Sequence, residues 1–562
     1  MTDSTILETD TKCHTEKDSV VANVAASGSN PAAAAANAKS TTNDCDDYPL
    51  NVFLSAFKAP RTQWVARRVI VMIAMLFRLG VGLGPYSGMH TAPMYGDFEA
   101  QRHWMEITKH LPISQWYWYD LSYWGLDYPP LTAYHSWLLG YFGGSRLLGN
   151  PSWFALDSSR GFEHEDLKSF MRLTVIASDL IVYVPAVTMM IRWKIKFGKP
   201  PSSSAALHHS IAAAAVLLQP ALVVIDHGHF QYNGVMIGLA VLALANILAD
   251  RLVLGAAFFV LALSFKQMAL YYALPVFAYL LGLCVFPRPN LPRFFALAVT
   301  VVVTFAVVWG PIVFSSSFSS PPPSSWTTWR DQLRQVIVRI FPFERGMWED
   351  KVANVWCAAN VVIKLRQRFT GPALQRLSLA ATLAASAPAC VIAFLRPRKA
   401  VLIWAVTATA WAFFLFSFQV HEKTVLVPLV LVTLQLADQG GRDQQAVIYW
   451  VNNVAVFSLW PLIRRDGLQL QATVAGFLWN WLMGVCHCSK QLPSVWPARW
   501  FVVGSYVLMA AWIVAQQAWP VPVPRLPDLW VVVNLTASCA CFIGFLAWNY
   551  VQLWRIAFGI NE

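Results

Sequence analysis

The amino-acid sequence predicts an all-α, polytopic membrane protein. Hydrophobic residues make up 56% of the 562-residue chain and charged residues only 13%, a more apolar composition than that of most soluble domains. Apolar runs of membrane-spanning length recur along the chain, and they lack the alternating pattern of a membrane β-barrel. A helix needs ~20 residues to cross a ~30 Å hydrocarbon layer, so the runs predict roughly 11–15 transmembrane helices.

These apolar runs begin after residue 67. They cover residues 68–84, 171–191, 211–225, 234–250, 252–286, 294–314, 376–395, 400–418, 445–463, 470–486, 500–518 and 529–553. The run 252–286 is long enough for nearly two crossings.

The first fifty residues differ in composition from the rest. They hold eight acidic and three basic residues, a net charge of −5, and the remaining 39 basic and 22 acidic residues give +17. Their polar, small-residue composition predicts a disordered tail, which we extend to residues 1–57. The segment has no apolar core of the kind found in signal peptides.

Basic residues lie immediately before the first apolar run: Lys58, Arg61, Arg67 and Arg68. By the positive-inside rule, the tail is predicted to be cytoplasmic, and the loop after the first span then lies on the other side. The remaining basic residues also lie in short loops, where membrane orientation and lipid headgroups account for them. The positive charge therefore does not predict a nucleic-acid partner.

The loop 85–130 is the first candidate functional region. Its segment 95–108 places five ionisable residues within fourteen positions, directly after a membrane span. A helix is predicted over residues 98–111, starting after Asp97 and stopping before Pro112. Asp97 is interpreted either as a helix cap or as a general base, and these roles are compatible because a helix N-terminus favours the ionised carboxylate. The other acidic residues of the loop are Glu99, Glu106, Asp120 and Asp127.

The same loop is rich in aromatic residues. They include Trp104, Trp116, Tyr117, Trp118, Tyr119, Tyr123 and Trp124. Tryptophan and tyrosine gather at membrane interfaces, but their flat faces also stack on sugar rings. Their mixture with several carboxylates, which accept hydrogen bonds from sugar hydroxyls, favours a sugar-binding loop.

Three further polar stretches interrupt the apolar sequence. Residues 225–234 contain His227 and His229, which are interpreted either as metal ligands or as hydrogen-bonding residues at helix ends. Residues 339–356 and 416–429 are interpreted either as charged loops whose residues pair with one another or as parts of a site. Their candidate residues are Arg345, Glu349, His421, Glu422 and Lys423.

These stretches together resemble the endoplasmic-reticulum dolichyl-phosphate-glucose glucosyltransferases of the N-glycan pathway, within the GT-C superfamily. The resemblance extends in order from about residue 60 to about residue 430 and continues more weakly to the C-terminus. It is carried by the motifs GDFEAQRHWMEIT, LPISQWY, WGLDYPPLTAYHS, DHGHFQYN, FKQM, FPFERGMWEDKVANVWC and FSFQVHEK.

Two sister enzymes of this family share much of the pattern. GDFEAQRHW and RGMWEDKVANVWC resemble the enzyme that adds the first glucose to the nine-mannose lipid-linked oligosaccharide. The enzyme that adds the second glucose typically has TDFE-x-HRNW and RG-x-x-HAYWAPN-x-W, which are absent here. The resemblance therefore implies an inverting α-1,3-glucosyltransferase, with the sister activity and a membrane transporter as the alternatives.

The resemblance also implies roles for individual residues. Asp97 is the expected catalytic base, and Asp127 is a second active-site carboxylate. The remaining positions expected to bind substrate are Glu99, Arg345, Glu349, His421, Glu422 and Lys423. The expected partners are dolichyl phosphate glucose as donor, a dolichyl-diphosphate-linked oligosaccharide as acceptor, and membrane lipids.

The family's fold further implies a division of the chain. An N-terminal transmembrane module, 58–315, carries the luminal catalytic loop 85–130. A C-terminal module, 316–562, carries luminal loops around residues 339–352 and 419–424. Because GDFE offers no DxD-type metal motif, we predict a reaction without a metal ion or another cofactor.

Overall fold

The computed structural model describes residues 48–57, 59, 62–196, 203–315, 328–341, 351–438, 440–486, 489–521 and 524–560. Within these ranges the chain is helical and contains no β-strand, which confirms the all-α prediction. Residues 47–562 form one compact unit. Residues 1–47 of the predicted disordered tail lie outside the described residues. Its last part is ordered, because Pro49–Ser55 form a helix whose Leu50 and Leu54 are buried in the core. The predicted boundary at residue 315 stays a prediction.

The helices of the N-terminal half follow the predicted runs closely. They are α1 Pro49–Ser55, α2 Gln63–Gly82, α3 Asp97–His110, α4 Pro130–Gly143, α5 Glu165–Ser178, α6 Val184–Lys196, α7 Ser203–Leu217, α8 Pro220–Val223, α9 Asn233–Leu248, α10 Leu252–Phe265, α11 Ala273–Val285 and α12 Leu291–Val313. Two π-helical segments, Asp179–Tyr183 and Val224–Phe230, continue α5 and α8.

The C-terminal half is also helical. Its helices are α13 Trp329–Ile340, α14 Val355–Ile363, α15 Leu365–Arg368, α16 Gly371–Leu395, α17 Lys399–Phe416, α18 Leu426–Leu434, α19 Arg442–Ser458, α20 Trp460–Arg465, α21 Gln469–Leu482, α22 Trp496–Ala518 and α23 Leu529–Phe558. The buried helix α18 was not predicted, because its nine residues are too short for a membrane-spanning run.

Eight helical segments in the described residues are long and apolar enough to cross a membrane: Glu165–Arg192, Leu207–Phe230, Gln267–Val285, Leu291–Val313, Gly371–Leu395, Lys399–Phe416, Trp496–Ala518 and Leu529–Phe558. The chain is therefore a multi-pass membrane protein. Other predicted spans fold as shorter apolar helices, such as α9 and α10, so the larger count of roughly 11–15 stays a prediction.

Several of the central helices have one end in the same part of the molecule, around Gln231, Lys266 and Ser417, which we call the common end. The segment Leu207–Phe230 and helix α17 are largely buried, whereas α22 is mostly exposed, as a lipid-facing helix would be. Helices α10 and α17 end at this common end, and α9 begins there. The polar stretches between the apolar runs thereby come together in space.

Asn534 begins the sequence Asn534-Leu535-Thr536, which has the form of a glycosylation acceptor site. The residue lies inside α23. It is 1% exposed, and its amide donates a hydrogen bond of 2.7 Å to the carbonyl oxygen of Phe457. Glycosylation needs an accessible acceptor, so this fold gives Asn534 a packing role.

Candidate active site

A cavity of about 530 Å³ lies where the central helices end. This volume is within the range of roughly 300–1,000 Å³ that is usual for ligand sites. Five of the residues predicted from the sequence line the cavity: Asp97, Asp127, His421, Glu422 and Lys423. The cavity thus joins the first loop to the 416–429 stretch.

Asp97 is the first residue of α3, which starts one residue earlier than predicted and ends before Pro112, as predicted. Its backbone N–H donates to the Ser87 hydroxyl oxygen at 3.2 Å. Its carboxylate is bound by side chains from elsewhere in the fold, so the residue does more than begin the helix.

Three donors bind one oxygen of the Asp97 carboxylate. The His229 Nε2 atom lies 3.0 Å from Oδ2, and the side chains of Gln231 and Lys423 also donate to Oδ2. Although burial opposes the charge, Lys423 and then His229 hold the pKa of Asp97 well below its usual range. Asp97 therefore stays ionised and held in place, as a general base must be.

A local backbone irregularity presents two of these donors. The π-helical segment Val224–Phe230 ends at Phe230, whose φ of +90° is rare for a residue with a side chain. His229 and Gln231 flank this residue, and both reach Asp97. Such strained positions and π-helical turns are frequent at functional sites.

Each of the two histidines in this segment contacts carboxylate groups. His227 Nε2 lies 3.0 Å from Asp179 Oδ2, and His229 lies between Asp97 and Asp466. The interpretation as hydrogen-bonding residues at a helix end therefore accounts for both rings.

Lys266 is a buried lysine close to the Asp97 site. It separates α10 from the next helical segment, is 3% exposed and lines the cavity. Its ammonium group donates to Gln231 Oε1 at 3.0 Å and Asn233 Oδ1 at 2.8 Å. Because Lys266 occupies the amide oxygen of Gln231, the amide nitrogen is directed toward Asp97.

Asp127 lies on the same cavity in a fixed segment of the first loop. Arg339 of α13 donates to the carbonyl oxygens of Gly125 at 2.7 Å and Leu126 at 3.2 Å. On the other side, the Tyr117 hydroxyl donates to the Tyr128 carbonyl oxygen at 2.6 Å. The backbone is thus held on both sides of the Asp127 carboxylate.

Glu99 is placed away from the cavity. Its carboxylate accepts two bonds of 2.7 Å from Arg102, and Arg102 also lies 2.8 Å from Glu106. Ser159 joins this cluster to the segment after α4. These contacts give Glu99 a structural role and do not support the predicted role in binding substrate.

The aromatic residues of the loop divide between two roles. Trp104 and Trp124 line the cavity, as does Tyr128, and the rings of Trp104 and Tyr128 lie 4.8 Å apart. Others hold the loop in place, for example Trp118, which donates to Gln332 of α13 at 2.9 Å.

The predicted substrate-binding residues Arg345 and Glu349 lie outside the described residues.

Three residues of the site were missed at the sequence level: Lys266, Arg339 and Asp466. Lys266 is a single lysine within the apolar run 252–286, and hydrocarbon makes such a charge costly unless it has a role. Asp466 is the single acidic residue between the runs 445–463 and 470–486. Both positions carried this signal, and Arg339 is the first residue of the stretch 339–356, in which the sequence analysis named Arg345 and Glu349 instead.

A polytopic helical fold with a fixed carboxylate and aromatic walls at a helix-end cavity fits a membrane glycosyltransferase. The chain belongs to the ALG6, ALG8 glycosyltransferase family, whose model matches residues 68–548.

Curated relatives share most of their length with this chain. It is 44% identical to the dolichyl pyrophosphate Man9GlcNAc2 alpha-1,3-glucosyltransferase of Saccharomyces cerevisiae, over 90% of this chain and 94% of that protein. A probable enzyme of the same name from Schizosaccharomyces pombe is 45% identical, over 91% and 96%. The Gallus gallus enzyme is 38% identical, over 88% and 97%.

Proposed function

We propose that this protein transfers glucose from dolichyl phosphate glucose to the Man9GlcNAc2 oligosaccharide on dolichyl diphosphate, forming an α-1,3 linkage in N-glycan assembly. The relatives reported above are named for transfer to Man9GlcNAc2, which favours the first glucose over the sister reaction. The observation that carries the mechanism is the Asp97 carboxylate on the cavity, which His229, Gln231 and Lys423 bind through one oxygen.

The reaction is a single displacement that inverts the anomeric carbon. The 3-hydroxyl of a mannose attacks that carbon, its proton passes to Asp97, and dolichyl phosphate leaves with the electrons of the broken C–O bond. Phosphate is a good leaving group, so the acid that inverting glycosidases use is not needed here. One base on the acceptor side is sufficient.

Charge develops on the departing phosphate and calls for cations on the donor side. Lys266 and Arg339 line the cavity, together with His421, and Arg345 is the further candidate from the motif. Lys423 is an ion-pair partner of Asp97, so we assign it to the base rather than to the phosphate.

We also propose that the reaction needs no metal ion. Activity that is lost in EDTA and restored by manganese would contradict this.

We place the site on the luminal side of the endoplasmic-reticulum membrane and the N-terminus in the cytoplasm. The short loops at the helix ends opposite the cavity are basic, and an ion pair of 2.5 Å between Lys399 and Asp250 joins two of them. The positive-inside rule puts these loops in the cytoplasm. Their basic residues are Arg251, Arg288, Arg396, Arg398 and Lys399.

An engineered glycosylation acceptor tests this sidedness. Arg146→Asn with Leu148→Thr creates an Asn-Xaa-Thr acceptor in an exposed segment near the cavity end. Expressed beside the wild-type enzyme, it should gain a glycan, whereas Asp250→Asn with Leu252→Thr at the opposite end should not. The reverse pattern would contradict the proposed topology.

The activity itself is tested with purified protein, dolichyl phosphate glucose and the lipid-linked nine-mannose oligosaccharide. The expected product carries one additional glucose in α-1,3 linkage. Preference for an acceptor that already carries one glucose would instead identify the sister activity. Failure to transfer glucose to either acceptor would contradict the proposal.

A further inference from the structure

Asp466 lies directly after α20 and is buried beside His229. Its Oδ2 atom is 2.5 Å from His229 Nδ1, and the other ring nitrogen, Nε2, is 3.0 Å from Asp97 Oδ2. The imidazole is 1% exposed. The ring of His229 therefore lies between two carboxylates from distant parts of the chain.

This geometry bears on the protonation of the ring. A neutral imidazole has one N–H and can donate to one carboxylate, whereas an imidazolium donates to both. The Lys423 ammonium lies 3.3 Å from His229 Nε2 and opposes a second positive charge there. Asp466 supplies the negative charge that offsets this opposition, so that two cations face two carboxylates.

His229, Gln231 and Lys423 all bind the same oxygen atom of the Asp97 carboxylate. In the part of the chain that the structure describes, the hydrogen bonds and ion pairs of this carboxylate are made by Oδ2.

We propose that Asp466 and His229 are positioning residues for the glucosyl transfer. Asp466 keeps the His229 ring doubly protonated, and its Nε2–H then holds Asp97 ionised. This inference rests on the proposed role of Asp97 as the base. It adds no covalent step, because His229 keeps its protons throughout.

Other charged groups surround this ring and contribute to any pH dependence. Arg172 of α5 donates to the carbonyl oxygen of the neighbouring Gly228 at 2.7 Å, and Lys266 acts through Gln231. Among the described residues, the charged groups that contact the His229 ring are Asp97, Lys423 and Asp466. Arg465 contacts Asp466, and Asp226 and His227 lie on the same segment as His229.

The first test is the pH profile of purified Asp466→Asn. Without the second carboxylate, the ring next to Lys423 loses its positive charge, so Asp97 has one cation fewer and its pKa rises. The acid limb of kcat should move to higher pH, and kcat at neutral pH should fall roughly tenfold to a hundredfold, the scale of one charge-assisted hydrogen bond. The KM for the donor should change little, because Asp466 does not line the cavity.

The second test is the coupling of two substitutions. His229→Gln keeps an N–H that can donate to Asp97 but removes the titratable ring. In that background Asp466→Asn should have no further effect on kcat, because Asp466 acts through the ring. Asp250→Asn, an exposed acidic residue at the opposite end, is the matched control and should keep the wild-type profile.

The outcomes separate this inference from the proposed function. If Asp97→Asn is inactive while Asp466→Asn keeps the wild-type acid limb, the positioning role is wrong and the base assignment stands. An equal loss at every pH, or independent effects of the two substitutions, would also overturn it. Elution volume and thermal unfolding of each purified variant establish that it is folded, and an active Asp97→Asn would overturn both ideas.

Discussion

The ammonium group of Lys423 forms an ion pair with the carboxylate of Asp97, although 326 residues separate them in the sequence. One partner begins the helix of the first loop, and the other lies in the 3-10 turn Glu422–Val425 after α17. The proposed catalytic base is therefore held by contacts between the two halves of the chain.

Lys423→Met should move the acid limb of kcat/KM to higher pH. The cation favours the ionised form of Asp97, so its removal raises the pKa of that carboxyl and Asp97 is protonated at a higher pH than in the wild type. Lys423→Arg keeps the charge and serves as the control. Superimposable acid limbs of Lys423→Met and wild type would exclude this role.

Lys266→Met should lower kcat by roughly tenfold to a hundredfold, the scale of one charge-assisted contact. The substitution frees the Gln231 amide to turn its oxygen toward Asp97, and it removes a cation from the cavity. Lys399→Met removes a partly buried lysine at the opposite end and should leave turnover unchanged. Equal activity of the two variants would show that Lys266 has no part in the reaction.

The fold was predictable to the extent that hydrophobic periodicity and length define helices. The helix from Asp97 to His110 was predicted to within one residue at each end, because Pro112 and the acidic first turn mark its limits. Helix α18 was not predicted, since its length is that of a short core element. Its start at Leu426, however, lies within the predicted polar stretch 416–429.

The site was predictable where charges interrupt apolar sequence. Asp97, Asp127 and the His421–Lys423 group were predicted and lie on one cavity. Glu99 carried the same signal, but its charge is used in the buried pair with Arg102. Sequence alone does not distinguish a buried structural ion pair from a substrate ligand, because both place a carboxylate in apolar surroundings.

Glu99→Ala should therefore lower stability more than chemistry. It leaves Arg102, which is fully buried, without one of its carboxylate partners, and breaking a buried pair costs about 3–5 kcal/mol. The thermal midpoint of the purified protein should fall, while kcat per folded molecule stays close to that of wild type. A normal midpoint with lost turnover would restore the substrate-binding interpretation.

Arg345→Lys should reduce turnover by roughly tenfold to a hundredfold if Arg345 grips the leaving phosphate through its planar fork. Loss of a transition-state contact should lower kcat more than it raises the donor's KM. Single-turnover measurements with saturating donor separate the two effects. Near-wild-type rates for both Arg345→Lys and Arg345→Ala would move this role to the cations that line the cavity.

The most direct test of the account is the rate of glucose transfer by Asp97→Asn. Asparagine keeps the size of the side chain but cannot take the hydroxyl proton, and a general base contributes about 10²–10⁴-fold to a rate. With purified, folded enzyme, dolichyl phosphate glucose and the lipid-linked Man9GlcNAc2 acceptor, turnover should fall at least about a hundredfold. Near-normal turnover would show that Asp97 only begins a helix and that the base lies elsewhere, with Asp127 the next carboxylate on the cavity.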